Sequence, residues 1–100
     1  MSHVLHRQAT HVPATAVSGE GIFITDADGK RYLDASGGAA VSCLGHSHPK
    51  VLEAIRSQID EIPFAHTGLF TSRPAETLAA RMAETAPGDL ARVYFVSGGP

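Results

Sequence analysis

The side chains able to do chemistry sit in a few short clusters. Near the C-terminal end, the apolar run Val93-Tyr94-Phe95-Val96 leads straight into Ser97-Gly98-Gly99. Glycines there let the backbone approach a ligand with no Cβ in the way, so exposed N–H groups and the Ser97 hydroxyl could hold an anion such as a phosphate. The same pattern also fits an ordinary tight turn after a strand. His46 and His48 flank Ser47, and His3, His6 and His11 lie near the start. None has a companion cysteine or carboxylate cluster at ligand spacing, so packing, surface or loop-bonding roles are expected instead of a metal site. The lysines are Lys30, beside the Asp28-Gly29 turn, and Lys50, at the beginning of a helix. Both positions are solvated and lack the desolvation that makes a lysine amine nucleophilic. Asp26, Asp28 and Asp34 belong to the segment around that turn.

The elements that position these groups follow from periodicity. Residues Met1 to Ser18 show neither a period of two nor one of 3.6 and are read as an extended arm. Ile22 and Ile24 then alternate, Asp26 to Gly29 supply turn chemistry, and Tyr32-Leu33 resume an apolar strand, which predicts a hairpin. Ser36-Gly37-Gly38-Ala39-Ala40 combines residues that permit positive φ with residues of almost no side chain. It is either a tight turn against a core or a wall that something approaches. Pro49 suits the first turn of a helix, and Val51, Leu52, Ile55, Ile59 and Ile62 recur on one face until Pro63. After an irregular aromatic-flanked link, Phe64 to Phe70, the hydroxyls of Thr71-Ser72 are placed to cap a second helix with Glu76 in its first turn. Pro87-Gly88 stops that helix. Val93 to Val96 has the unbroken apolar pattern of a strand covered on both faces.

Bulk properties exclude several classes. With 43% hydrophobic and 18% charged residues over 100 residues and a formal charge of -2, the chain reads as globular, with one core at most. Lysines and arginines are scattered, so no basic stripe suits nucleic acid. A single cysteine, Cys43, forms no internal disulfide. No apolar run approaches the roughly 20 residues of a membrane span, and the start lacks the apolar core of a secretory signal, so a cytoplasmic protein with no membrane partner is expected.

The order of motifs Gly19-Glu20-Gly21-Ile22, Asp26 to Gly29, Tyr32-Leu33-Asp34, Gly37-Gly38 and Leu44-Gly45-His46-Ser47-His48-Pro49 resembles the N-terminal region of the class III aminotransferases, pyridoxal-phosphate enzymes of fold type I. The likeness runs from about Val17 to the last residue. It implies an α/β fold, the N-terminal segment of a PLP-transferase: a β-hairpin, two helices and the first strand of the large-domain sheet. Residues 1–18 would be an arm, 19–90 a small-domain segment, and 91–100 the start of a cofactor-binding large domain, so that the chain is expected to be an incomplete enzyme.

Pyridoxal 5'-phosphate needs a lysine for its Schiff base, an anion site for its phosphate and a carboxylate for its ring nitrogen. The resemblance assigns Ser97, Gly98 and Gly99 to the phosphate and Ala39 to the substrate side, and makes Phe70 either a core-packing residue or a substrate contact. Pro100 departs from the family pattern, which usually has a serine there, and it supplies neither hydroxyl nor N–H. No lysine or ring carboxylate is expected within these residues, so no catalytic residue is assigned. The implied reaction moves an amino group from an amine or amino acid to a 2-oxo acid, in a homodimer, with the 100-residue chain inactive by itself. Rival readings are an aminomutase or racemase on the same scaffold, a non-catalytic fragment or interaction module, and a nucleotide or sugar-phosphate site at Gly98-Gly99. The last lacks the βαβ unit it needs.

Overall fold

The computed structural model describes residues 2–98. The chain divides into two units, Met1–Ile59 and Asp60–Pro100.

In the first unit, strands β1 (Ala16–Glu20), β2 (Phe23–Asp26) and β3 (Arg31–Leu33) form an antiparallel sheet in the order β1-β2-β3. Phe23 pairs with Glu20 on one side and Leu33 on the other, and Ile24 pairs with Gly19 and Tyr32. A register shift between Ala16 and Ser18 marks an irregularity in β1. The hairpin expected around Asp28-Gly29 is therefore present, with a third strand added to it. Residues 16–18, read from sequence as the end of an arm, pair as part of β1. Ala-Val-Ser-Gly-Glu lacks an apolar alternation because its partner β2, not its own side chains, holds it in the sheet.

The turn between β2 and β3 is built on one side chain. Asp26 Oδ1 accepts hydrogen bonds from the backbone N–H of Lys30 (2.9 Å) and Asp28 (3.0 Å), while Oδ2 accepts from the Tyr32 hydroxyl (2.8 Å). An aspartate bonding the backbone two and four residues on closes the loop without help from packing. Gly29 takes φ 82°, which only glycine adopts freely. The Tyr32 hydroxyl first, then the Lys30 N–H, hold the Asp26 carboxyl below its ordinary value, and the same bond raises the Tyr32 phenol. On the charged face of the hairpin, the Arg31 guanidinium lies 4.1 Å from the centre of the Phe23 ring, a diagonal cross-strand contact of the cation–π kind.

After the sheet come a single turn, α1 (Gly37–Ala40), and the helix α2 (Pro49–Glu61). Pro49 opens α2, as its sequence predicts, and the Leu52 N–H donates to the His48 carbonyl. In the second unit, α3 (Arg73–Thr85) follows Ser72. The cap differs from expectation. The Ser72 side chain makes no capping bond, and the Thr71 hydroxyl donates to the Glu76 carboxylate instead, at 2.6 Å. An open groove of about 510 Å³ lies along α3, lined by Ala75, Glu76, Ala79, Arg92, Val93 and Phe95 among others.

Residues 93–96 do not form a strand. A strand exists only where a neighbour takes its N–H and C=O groups, and no strand of the second unit is present among the described residues to do so. The apolar pattern is there all the same: Tyr94 is 90% exposed and Val96 61%.

That exposure is general. No apolar side chain is buried among the described residues, and Asp26 is the only buried residue of any kind. Val51, Ile55 and Ile59 of α2, Ile62 just after it, and Leu78 and Met82 of α3 are each at least a third open to solvent. Ordering a backbone residue costs about 1–2 kcal/mol, a cost met in folded proteins mainly by apolar burial that is missing here. The 100-residue chain in isolation should therefore show no cooperative calorimetric transition and should bind the dye ANS strongly. A sharp endotherm with matching calorimetric and van't Hoff enthalpies would contradict this.

Candidate functional site

The best-organised polar cluster lies where β3 ends. The Asp34 N–H donates to the Ile22 carbonyl (2.8 Å), which fixes Asp34 against the β1–β2 turn. Twelve residues later, His46 is fixed to the same turn by a pair of backbone bonds with Gly21, at 2.7 and 3.1 Å. The chain between them is thus a loop with both feet on residues 21–22.

The Asp34 carboxylate ties this loop from inside. Oδ1 accepts from the Ser36 hydroxyl (2.7 Å) and the Ser36 N–H (3.2 Å), and Oδ2 accepts from His46 Nε2 (2.7 Å) and the Ser42 hydroxyl (3.0 Å). Its side chain is 8% exposed and that of His46 25%. The Ser36 hydroxyl first, then His46 and Ser42, hold the Asp34 carboxyl at about 2, against the opposing effect of burial. An ionised carboxylate has no proton to offer, so Nε2 is the protonated nitrogen of His46 in this bond.

Close approaches favour glycine at positions 19 and 38. A Cβ on Gly19 would fall 2.8 Å from the His46 Cβ, so the imidazole sits directly over the β1 backbone. One on Gly38 would fall 3.1 Å from the Ser42 hydroxyl.

From Gly37 to Ala40 the backbone is left-handed. Gly37, Gly38, Ala39 and Ala40 have φ of 61°, 57°, 55° and 71°. The expectation that Ser36 to Ala40 permits positive φ is met, and met by two alanines as well as two glycines. An L-residue wound this way costs about 1–2 kcal/mol, so Ala39 and Ala40 are held against their preference. The bonds of the turn are Val41 N–H to Gly37 O and Gly38 O (3.3 Å to the latter), Ser42 N–H to Gly37 O (3.0 Å), Gly38 N–H to the Ser36 hydroxyl (3.3 Å), and the Cys43 thiol to Ala40 O (3.1 Å). A shallow hollow of about 490 Å³ is lined by Asp34, Ser36, Gly38, Val41, Ser42 and His46, among others.

The residues singled out from sequence are distributed as follows. Ala39, in the first unit, is exposed in the middle of the left-handed turn. In the second unit Phe70 is 65% exposed, and its N–H donates to the His66 carbonyl (3.0 Å). Ser97 and Gly98 are exposed, and Gly99, like Pro100, lies outside the described residues. Among the described residues no group of histidine, cysteine and acidic side chains is arranged to hold a metal ion, and no helix is long and apolar enough to cross a membrane. His48 Nδ1 accepts from the Lys50 N–H at 3.2 Å, and His46 bonds Asp34 and the Gly21 backbone, the loop roles expected of the pair. Asp34 itself was legible only as a hairpin acid. Its signature is the short-range Asp34-x-Ser36 pair, whereas Ser42 and His46 join it through the fold.

The aminotransferase class-III family model matches residues 4–100. The chain belongs to the class III aminotransferase family. It is 46% identical over 88 residues to acetylornithine aminotransferase of Mycolicibacterium smegmatis, covering 87% of this chain and 22% of that protein. An aminotransferase of Schizosaccharomyces pombe is 36% identical over 98 residues, which is 98% of this chain and 21% of that one. The chain thus spans about a fifth of the length of these curated relatives. Among solved structures, an (S)-enantioselective ω-transaminase from Thermomicrobium roseum superposes with TM-score 0.86 at 36% identity, over 98% of this chain and 23% of that one. An ω-transaminase from Pseudomonas jessenii in complex with PMP gives TM-score 0.79 at 28% identity, over 92% and 21%. The fold is accordingly that of the N-terminal portion of a PLP transaminase.

The family's cofactor is pyridoxal phosphate, and of the residues that the sequence suggests for its phosphate the structure describes Ser97 and Gly98. No atom lies within 4 Å of a Cβ position on Gly98, so the backbone there is open to an anion but no closed cup is built. Lys30 and Lys50 are both exposed, on a turn and at the start of α2, and neither is placed as an imine-forming amine.

The Asp34 cluster carries its own pH dependence. A carboxyl whose folded value is about 2, against about 3.9 when unfolded, contributes stability that is complete above about pH 4 and is lost as pH falls towards 2. In the complete protein, carboxyl NMR of Asp34 should show a midpoint well below the ordinary carboxyl value, and the His46 ring resonances should shift with it. A midpoint near 4 would show that the cluster does not form.

Proposed function

We propose that the complete protein transfers an amino group from an amine or amino acid to a 2-oxo acid, using pyridoxal phosphate. The observation that carries this reading is the match of nearly the whole chain to the class III family, supported by the superposition on two transaminases. The partners are then a small-molecule donor and acceptor and a second copy of the enzyme in a homodimer, with the cytoplasm as its place. In the same reading, residues 1–18 are an arm, 19–90 a small-domain segment, and 91–100 the beginning of the cofactor-binding domain.

When bound, pyridoxal phosphate holds the amino group between its departure from the donor and its arrival on the acceptor. This chain's residues bind and shape. Ser97, through its hydroxyl and N–H, and Gly98 and Gly99, through their N–H groups, would hold the phosphate. Ala39 borders the donor's side chain, and Phe70 offers an apolar face to it. The imine-forming lysine comes from outside these 100 residues, so the chain by itself does not turn over.

Two measurements bear on this. The complete protein with pyridoxal phosphate, L-alanine and 2-oxoglutarate or another 2-oxo acid should produce pyruvate stoichiometrically with the new amino acid, whereas the 100-residue chain should produce none. Rearrangement or inversion of an amino acid without consumption of the 2-oxo acid would favour an aminomutase or racemase instead. The small side chain of Ala39 leaves space for bulky donors. Ala39→Trp should cut kcat/KM for a bulky donor such as 1-phenylethylamine by about tenfold or more, with a smaller effect on L-alanine. Unchanged donor preference would remove Ala39 from the substrate wall.

A further inference from the structure

We infer that Asp34 is a positioning residue for donor specificity: by gripping Ser36, Ser42 and His46 at once, it holds the left-handed turn Gly37–Ala40, and hence the Ala39 side chain, in the orientation that the substrate meets. The inference rests on the proposed reading of Ala39 as part of the substrate wall.

The turn cannot hold itself. It contains no buried residue, and two of its four residues are alanines in a backbone region that L-residues avoid. Two of its internal bonds are at 3.3 Å. What fixes it lies at its ends. Ser36, immediately before, gives both its hydroxyl and its N–H to Asp34 Oδ1, while Ser42, two residues after, gives its hydroxyl to Oδ2. The Ser36 hydroxyl also accepts from the Gly38 N–H, so the grip reaches into the turn itself. Both ends are thereby pulled onto one carboxylate that is anchored in turn. The Asp34 N–H donates to Ile22, and His46, bonded to the other side of Oδ2, is locked to Gly21. Removing the carboxylate releases the Ser36 and Ser42 hydroxyls and leaves the turn to its backbone bonds and to the Cys43 thiol on the Ala40 carbonyl, which hold Ala39 and Ala40 in left-handed backbone less firmly. Inverting φ at Ala39 redirects its Cβ, which changes the wall without touching the reacting atoms.

The test uses the complete holoenzyme and two donors, L-alanine and 1-phenylethylamine, with kcat and KM measured separately. Asp34→Ala should change the ratio of the two kcat/KM values by about tenfold, chiefly through KM for the bulky donor. Ser42→Ala deletes one hydroxyl from the same grip and folds with less disturbance, and it should move the ratio in the same direction by about threefold. The deciding readout is coupling. If Asp34 acts through the placement of Ala39, the penalty that Ala39→Trp imposes on the bulky donor should shrink by about threefold or more in the Ser42→Ala or Asp34→Ala background, because the turn no longer presents that side chain. Additive effects, or a donor ratio unchanged in Ser42→Ala, would overturn the inference while leaving the aminotransferase reading in place. A wild-type holoenzyme that consumes neither donor would overturn that reading and the inference together.

Discussion

The carboxylate of Asp34 is the point on which the loop between β3 and α2 depends. It stands at the end of β3, bonded through its own N–H to Ile22, and accepts from Ser36, Ser42 and His46. A charged acceptor with four donors is worth more than four neutral contacts on the surface would be, because donors already aimed at the charge need no further ordering. Around it a loop of eleven residues closes, and within that loop the backbone takes a hand that sterics disfavour. Strain at a few residues is sustained where the surroundings over-determine the conformation, and here the surroundings are polar, not packed.

Polar closure has to serve because apolar closure is absent. Both 13-residue helices present amphipathic stripes, yet no apolar residue is buried among the described residues. The two turn-building aspartates, Asp26 and Asp34, work locally, over spans of at most twelve residues. Local hydrogen bonds can define shape over such distances, but each contributes only about 1 kcal/mol net and cannot replace a core. The local geometry is therefore well specified, while the apolar faces and residues 93–96 carry the pattern of elements meant to be covered. This agrees with a chain that spans about a fifth of its curated relatives.

Legibility followed the range of the interaction. The β2–β3 hairpin, α2 and α3 were readable because Asp28-Gly29, Pro49 and the recurrence of Val51, Leu52, Ile55 and Ile59 act within a turn or two of chain. β1 was not, since Ala-Val-Ser-Gly-Glu has no periodicity of its own and owes its extension to pairing with β2. The run at Val93 to Val96 was read as a strand on side-chain pattern, which reports what a segment would bury and not whether a partner accepts its backbone groups. At the site, Ser36 to Ala40 could be read as a stretch tolerant of positive φ, from its glycines. The link from Asp34 to His46 could not, because it depends on Gly21 meeting His46 across a bridge and on Gly19 being bare enough for the imidazole to lie over it.

The two alanines make the last step. Glycine at positions 39 and 40 would take the same backbone without strain, so alanine there brings a cost and a methyl group. A methyl gives the turn a defined surface, and the strain means that the surface is kept only while both ends of the turn are held. Four neighbouring donors on one carboxylate supply that hold with side chains that reach no further than the loop itself. The shape of the exposed turn is in this way set from beneath by groups that need not meet a ligand, which leaves the turn's outer residues free to vary in size without loss of the scaffold that presents them.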